Sequence, residues 1–301
     1  MNIDCYYASL NSSQYLKHES FKNHNTIMKL IRFLTCILFL TSCGKSADTP
    51  DDTTPDDDAV LVKTMTYNIW GARQGGLHTP QLQEIAEVIK KHDPDLVALQ
   101  EVDRFTTRNG QPVGDVAKEL ADLTGMSHFF ALAEPRHGGE YGDAVLSKLP
   151  IKETKAYNLG VTAELPGEIR SVARVTVEKE GKEFYFISTH FDHLSNEANR
   201  LKQARDFVTI LKEYKKPVIV GADFNALPNS ETIGILRQHL TLGCFNNNCS
   251  QFTFSTDNPR SVIDYIMYAP ITGLSIQSYT VDTRAYSESD HFPVISTFKL
   301  H

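Results

Sequence analysis

The sequence predicts an α/β protein whose sheets are mixed or largely antiparallel. Three observations carry that expectation. Short apolar, β-branched runs recur from Ala59 to the end of the chain, with helix-like periodicity in only a few places. Between His128 and Thr189 four such runs follow one another with little helix between them. Strands that adjoin in this way pair antiparallel, whereas a doubly wound parallel sheet needs a crossover helix between each pair. No linker-like break interrupts residues 59–301, so these residues read as one folded body.

Taken in order, Val60 to Ile69 alternates as a strand, and Leu82, Ile85, Val88 and Ile89 recur at helical spacing. Asp95 to Val102 is a strand and Val113 to Leu123 an amphipathic helix. The strands His128 to Ala133, Ala144 to Ser147, Val172 to Val177 and Phe184 to Thr189 come next. A long polar helix spans about Asn196 to Glu213. Val218, Ile219 and Val220, bounded by Pro217 and Gly221, form a buried strand. A helix from about Glu231 to Gln238 precedes the strands Val262 to Tyr268, Leu274 to Val281 and Val294 to Phe298. No short-period repeat is visible.

An apolar content of 41% and a charged content of 22% fit a globular protein with a sizeable core. The net charge is −7, part of it in the first 58 residues, and no Lys/Arg cluster marks a surface for a polyphosphate backbone. Composition therefore does not favour nucleic acid as a partner.

Polar residues collect where strands end. After the buried strand at 218–221 come Asp223 and Asn225, two residues apart and so able to face the same way in extended backbone. An Asp can take a proton from water, and an Asn amide can donate to a phosphoryl oxygen. An Asx turn that merely satisfies local backbone is the plainer reading of the same residues. Five further places share the design: Asn68, Glu101, His190 (with Asp192 and His193 after it), Asp264, and Asp290 with His291. One such residue is ordinarily just solvated; this many argue for a site at the strand ends.

These pieces resemble the endonuclease/exonuclease/phosphatase family, which includes DNase I-like nucleases, sphingomyelinases and inositol polyphosphate phosphatases. The matching stretches are Tyr-Asn-Ile-Trp (67–70), Leu-Gln-Glu-Val (99–102), Thr-His-Phe-Asp-His (189–193), Gly-Ala-Asp-Phe-Asn (221–225), Ile-Asp-Tyr-Ile (263–266) and Ser-Asp-His-Phe-Pro (289–293). Tyr-Gly-Asp-Ala-Val-Leu-Ser-Lys (141–148) matches more loosely. The resemblance implies a four-layer sandwich, two packed mixed β-sheets flanked by helices. It implies that Glu101 holds Mg²⁺ (Mn²⁺ as the second choice) with Asn68 and Asp290 beside it, Asp290 either touching the ion or standing one layer behind. Asp223 would align and deprotonate the attacking water, Asn225 would donate to the phosphate, and Asp264 would orient His291. His190 would be the second histidine on the phosphate. Arg170 would be a substrate contact or a surface ion pair. Asp192 and His193 are expected to order the loop after His190, and Arg200 to be structural. His78, His92, His128, His137 and His239 have no matching context.

The implied activity is metal-dependent hydrolysis of a phosphate ester, a diester in the first place. A phosphomonoesterase for sugar or inositol phosphates and a DNase-like nuclease are the alternatives, and a catalytically silent binding lipoprotein the non-enzymatic one. Two features depart from the family. Asp143 adds a carboxylate that would repel phosphate unless it meets a metal or an Arg. The loop 134–140 is short and polar, with no aromatic hairpin for entering a bilayer.

The front of the chain reads as an address. Met28 to Arg32 is a short basic start, Phe33 to Leu40 is apolar, and Leu40-Thr41-Ser42-Cys43 resembles the lipobox of bacterial lipoproteins. The expectation is an upstream extension at 1–27, a signal at 28–43 and an acidic, disordered tether at 44–58. Lipid on Cys43 would anchor the protein in the cell envelope, periplasmic or at the outer-membrane surface. Of five cysteines only Cys244 and Cys249 lie in the folded body, where they form a short disulfide or stay as free thiols. Oligomeric state is not legible.

Overall fold

A computed structural model describes residues 59–72, 78–108, 112–244, 249–269 and 273–301, with backbone alone at 78–80. The signal, the tether and Cys43 lie outside the described residues.

The chain opens with β1 (Val60–Asn68), crosses over through α1 (His78–His92) and returns beside β1, parallel to it, as β2 (Leu96–Arg104). After α2 (Val116–Thr124), β3 (Ser127–Arg136) and β4 (Gly139–Ser147) form a hairpin, and β4 pairs antiparallel with β2. Next comes an antiparallel meander of β5 (Ile151–Leu159), β6 (Arg170–Lys179) and β7 (Lys182–His190). From β7 the chain crosses through α3 (Ala198–Leu211) to β8 (Val218–Asp223), which is parallel to β7. Then come α4 (Glu231–Leu236), the two-residue β9 (Thr241–Leu242) and β10 (Asp264–Tyr268), which is antiparallel to both β8 and β9. Finally β11 (Leu274–Val281) and β12 (Val294–Leu300) return to the first sheet, where β12 pairs antiparallel with β1.

Two six-stranded mixed sheets result, in the orders β11-β12-β1-β2-β4-β3 and β5-β6-β7-β8-β10-β9. Each has one parallel pair at its centre, joined by a crossover helix, with antiparallel strands on either side. The two halves are thus topological copies, a repeat too long and too diverged in side chains to show in the sequence. Apolar side chains divide into three clusters that define four layers. One includes Phe207, Ile233 and Val220 between the second sheet and α3 and α4. A second includes Ile85, Leu120 and Leu99 between α1 and α2 and the first sheet. The third, with Val62, Ala98, Val175 and Ile219, fills the space between the sheets. The four-layer sandwich of mixed sheets is therefore the fold.

The sheets approach closely at Gly221, where a Cβ would lie 2.7 Å from Ala98 Cβ and 2.9 Å from Thr66 Cβ. Beside it Gln100 bridges the sheets, donating to Ser188 Oγ (3.0 Å) and accepting from Thr66 Oγ1 (3.2 Å). Strand β5 was not expected from the sequence. It is an edge strand whose Lys and Glu side chains are mostly solvated, so it lacks an apolar signature. Strand β4 begins five residues earlier than expected, because Gly139 and Gly142 interrupt its pattern where the hairpin strands press together: a Cβ on Gly142 would lie 2.0 Å from Ala131 O. Cys244 and Cys249 are bonded as a disulfide, their Cα atoms 5.2 Å apart.

Candidate active site

The polar residues gather at the C-terminal ends of the two central parallel pairs. Register does much of this. His190 on β7 lies opposite Asp223 on β8, and Asp223 lies opposite Asp264 on β10, so three residues from three strands stand in a row. In the facing sheet Asn68 ends β1. Glu101 sits at a bulge, where the pairing of β2 with β4 skips between Leu99 and Val102, and its φ is 57°. The extra residue lets Gln100 point between the sheets while Glu101 turns into the pocket. A positive φ on a long side chain is strained, and such strain concentrates at sites.

His291 Nδ1 donates to Asp264, 2.9 Å from Oδ2 and 3.1 Å from Oδ1. Burial works against a charged ring here, but Asp264 and Asp223 outweigh it and raise the pKa of His291 to about 10. That shift favours the charged ring, whose Nε2 lies 3.7 Å from Asp223 Oδ2. Asp223 is itself lifted by burial and by Asp264, with His291, the Asn225 N–H and Asn68 pulling the other way. Asn68 Nδ2 donates to its Oδ2 at 3.0 Å.

His190 is neutral, its pKa driven down by burial and by Arg170. Arg170 Nη1 donates to its Nδ1 at 2.9 Å, and a guanidinium has no lone pair to offer in exchange. The ring hydrogen therefore sits on Nε2, which lies 3.5 Å from Asp223 Oδ2. Asn225 Nδ2, which donates to Phe191 O, also lies 2.9 Å from this Nε2. Two N–H groups thus face each other where no lone pair remains. With the His291 Nε2 they form a group of donors on one side of the site, which a phosphoryl oxygen would answer. The Asx turn is real as well: Asn225 N–H donates to Asp223 Oδ1 at 2.9 Å, and a φ of 48° turns the Asn amide back toward His190.

Two oxygen sets are candidates for a cation. Asp223, Asp264 and His291 bring ligand-type atoms within 4.8 Å of one another. In that set, however, His291 Nδ1 is committed to Asp264 at 2.9 Å, so its geometry reads as a hydrogen-bonded relay. The other set is Glu101 with Asp290, which share one pocket. Burial lifts the Asp290 carboxyl, His291 opposes that, and Glu101 adds to the rise. Crowded carboxylates of this kind suit a hard divalent cation. Asn68 presents its amide nitrogen to Glu101 (3.3 Å) and Asp223, while its oxygen accepts from Trp70 N–H (3.0 Å). The structure thus shows Asn68 as a donor between two carboxylates rather than as an oxygen ligand. Ser289 Oγ, donating to Asn68 O at 2.7 Å, fixes the segment carrying Asp290 and His291.

Sequence reading missed one wall of this cavity of about 260 Å³. Arg170, 2% exposed, forms an ion pair with Glu168 (2.7 Å), and Glu168 pairs with Arg136 at 2.7 Å. Arg136 lies over the Tyr141 ring at 3.8 Å and Arg108 lies over it at 5.0 Å. Arg170 is therefore no surface ion pair but a buried support for His190. Arg170 is named in the sequence reading; for the rest, which come from loops and a strand far apart in sequence, the polar loop 134–140 and the loose match around Tyr141 were the signals. Asp143 is absent from the cavity lining. It is buried beside Ser171, whose hydroxyl donates to its Oδ2 at 2.5 Å. Asp192 orders the following loop, accepting from Leu194 N–H at 2.9 Å, and Arg200 donates to the carbonyls of Asp192 and Leu194.

A model of the Endonuclease/Exonuclease/phosphatase family matches residues 65–291. No curated protein matches the chain. Among solved structures, an endonuclease/exonuclease/phosphatase from Beutenbergia cavernae is similar at 22% identity and a TM-score of 0.64, over 80% of this chain and 72% of that one. A mannosyl-6-phosphatase from Bacteroides thetaiotaomicron is similar at 21% identity and a TM-score of 0.59, over 79% and 99%. The human Nocturnin catalytic domain with bound sulfate is similar at 20% identity and a TM-score of 0.60, over 82% and 98%. At these identities the likeness speaks to the fold.

Proposed function

The chain belongs to the endonuclease/exonuclease/phosphatase family, and from that premise we propose that it hydrolyses a phosphate ester by in-line attack of water held at Asp223. The observation that carries this is the convergence on Asp223 Oδ2 of Asn68, His190 and His291 from three different segments. Asp223 orients the water and takes its proton; burial and Asp264 raise its affinity for that proton. His291, held as a cation by Asp264, and the neutral His190 donate to the phosphoryl oxygens as charge builds on them. The Asn225 amide adds a third donor. Because these donors are fixed before substrate arrives, little reorganisation accompanies the reaction. Bound by Glu101 and Asp290, a divalent cation, Mg²⁺ first and Mn²⁺ second, would polarise the phosphoryl group and neutralise the leaving oxygen.

A binding lipoprotein would have no use for a base, an imidazolium and a donor set aimed at one point. Turnover of p-nitrophenyl phosphate and bis-p-nitrophenyl phosphate with Mg²⁺ or Mn²⁺, abolished by EDTA, is the expected result. No turnover of either ester with either metal would favour the binder. Lipid attachment at Cys43 and residence in the cell envelope belong to the same proposal, supported by the basic, apolar and small-residue order of 28–43. Mass spectrometry of the N-terminal peptide from envelope fractions tests them, and an unmodified Cys43 would refute them.

A further inference from the structure

Resting on the phosphate-ester reading above, we propose that Glu168, Arg136 and Arg108 form the leaving-group subsite and that it recognises a small polyhydroxylated alcohol, so that the substrate is a sugar or polyol phosphomonoester.

The wall is continuous with the phosphate site. Arg170 touches His190 Nδ1 at 2.9 Å on one side and Glu168 Oε2 at 2.7 Å on the other, and Glu168 Oε1 reaches Arg136 Nη2 at 2.7 Å. Its charges are matched. Arg108 pairs with Asp103 at 2.8 Å, Arg136 with Glu134 at 2.7 Å, and Glu168 lies between Arg136 and Arg170. A second phosphate would require unmatched cations, because breaking such pairs leaves buried charge exposed to no partner. Vicinal hydroxyls suit the wall, since each can donate to a carboxylate oxygen and accept from a guanidinium N–H. The Tyr141 ring is only 3% exposed, with Arg136 over it at 3.8 Å and Arg108 at 5.0 Å, so it offers little surface for stacking a nucleobase. A cavity of about 260 Å³ also suits a small alcohol better than a polymer.

Glu168 is placed with unusual support for a loop residue. Its N–H donates to Asp192 Oδ2 at 3.0 Å and its carbonyl accepts from Gln203 Nε2 at 3.2 Å. Next to it Asn199 Nδ2 donates to Pro166 O at 3.1 Å, and a Cβ on Gly167 would lie 2.2 Å from that same Nδ2. Asp192, Asn199 and Gln203 are fully buried. They hold the carboxylate at a fixed point on the cavity wall before any substrate binds. In the reaction, water adds to phosphorus as the P–O bond to the alcohol breaks, and the departing alkoxide takes up a proton. The products are the free polyol and inorganic phosphate.

The test measures kcat/KM with Mg²⁺ for glucose 6-phosphate, mannose 6-phosphate, glycerol 3-phosphate, fructose 1,6-bisphosphate, AMP, p-nitrophenyl phosphate and bis-p-nitrophenyl phosphate. Wild type, Glu168→Gln and Arg136→Gln are compared, and the quantity read is the ratio of hexose 6-phosphate to p-nitrophenyl phosphate. Partial misfolding scales both rates and cancels from that ratio. A hexose 6-phosphate is expected to lead the panel, and either substitution to lower the ratio at least about tenfold, mainly through KM. Preference for the bisphosphate, AMP or the diester, or a ratio that neither substitution moves, would overturn the subsite. No turnover of any ester would instead overturn the phosphate-ester reading, and the subsite with it.

Discussion

His291 owes its charge to Asp264, whose two oxygens both lie within 3.1 Å of Nδ1. Asp264→Asn should therefore drop the His291 pKa from about 10 toward the ordinary imidazole range and lower kcat by roughly 10²–10⁴-fold. Steady-state kinetics with an NMR titration of the ring checks both; an unchanged titration would remove Asp264 from that role. Asp143 behaves differently. Burial raises its pKa from 3.8 to about 7, with Ser171 and Arg170 pulling the other way. A pKa raised on folding favours the native state fully below 3.8, and that advantage is lost as pH rises through about 7. Asp143→Asn should thus gain thermal stability over wild type between about pH 5 and pH 8, and equal gains at both values would contradict the assignment. The paired stretches carrying Asp223, His190 and His291 were legible because an apolar strand ending in a polar residue is a local pattern. Arg108, Arg136 and Glu168 were not, because each looks like an ordinary loop charge until tertiary contacts bring Tyr141 and Arg170 alongside.

Among the elements, β8 is the one on which both sheets and the site depend. Its Gly221 sits at a close approach between the sheets, and Gln100 of β2 also reaches the Gly221 carbonyl at 3.4 Å. Gly221→Ala should cost about 1–3 kcal/mol through overpacking, read by urea denaturation. Gln100→Leu should cost a similar amount, about 1–3 kcal/mol, by removing the acceptor of the Thr66 hydroxyl and the donor to Ser188 Oγ, whose own hydrogen still goes to Leu99 O. A neutral result for Gly221→Ala would mean that the sheets can separate locally at no cost. Most strands were readable as apolar runs. The edge strand β5 was not, since an edge strand with one solvated face needs little apolar content. The four α-helices among the described residues were readable as elements, and α2 is closed by caps at both ends, where Asp115 accepts from Lys118 N–H and Gly125 lies in the left-handed region.

Across the whole molecule, the duplicated β-α-β units aim two pairs of strand ends at one pocket. That explains why the chemistry is spread from Asn68 to His291 rather than clustered in sequence. Remote parts are tied by Asp282, which accepts from His92 at 2.7 Å, Lys91 at 3.2 Å and Arg284 at 2.8 Å. Burial alone would raise the Asp282 pKa; the hydrogen bonds from Arg284, His92 and Lys91 outweigh it and hold the carboxyl well below 3.8. A pKa depressed on folding gives stability present above 3.8 and lost as pH falls toward the folded value. Asp282→Asn should lower stability at neutral pH by about 1–2 kcal/mol, with the gap to wild type closing below about pH 3. A gap that persists in acid would mean that packing, not charge, is lost.

The central claim is that Asp223 activates water at phosphorus. It is tested most directly by kcat/KM of the full chain with Mg²⁺ on p-nitrophenyl phosphate, wild type beside Asp223→Asn. The account predicts metal-dependent release of phosphate that falls by roughly 10²–10⁴-fold in the variant. A variant within about twofold of wild type would contradict it and move the base elsewhere in the pocket.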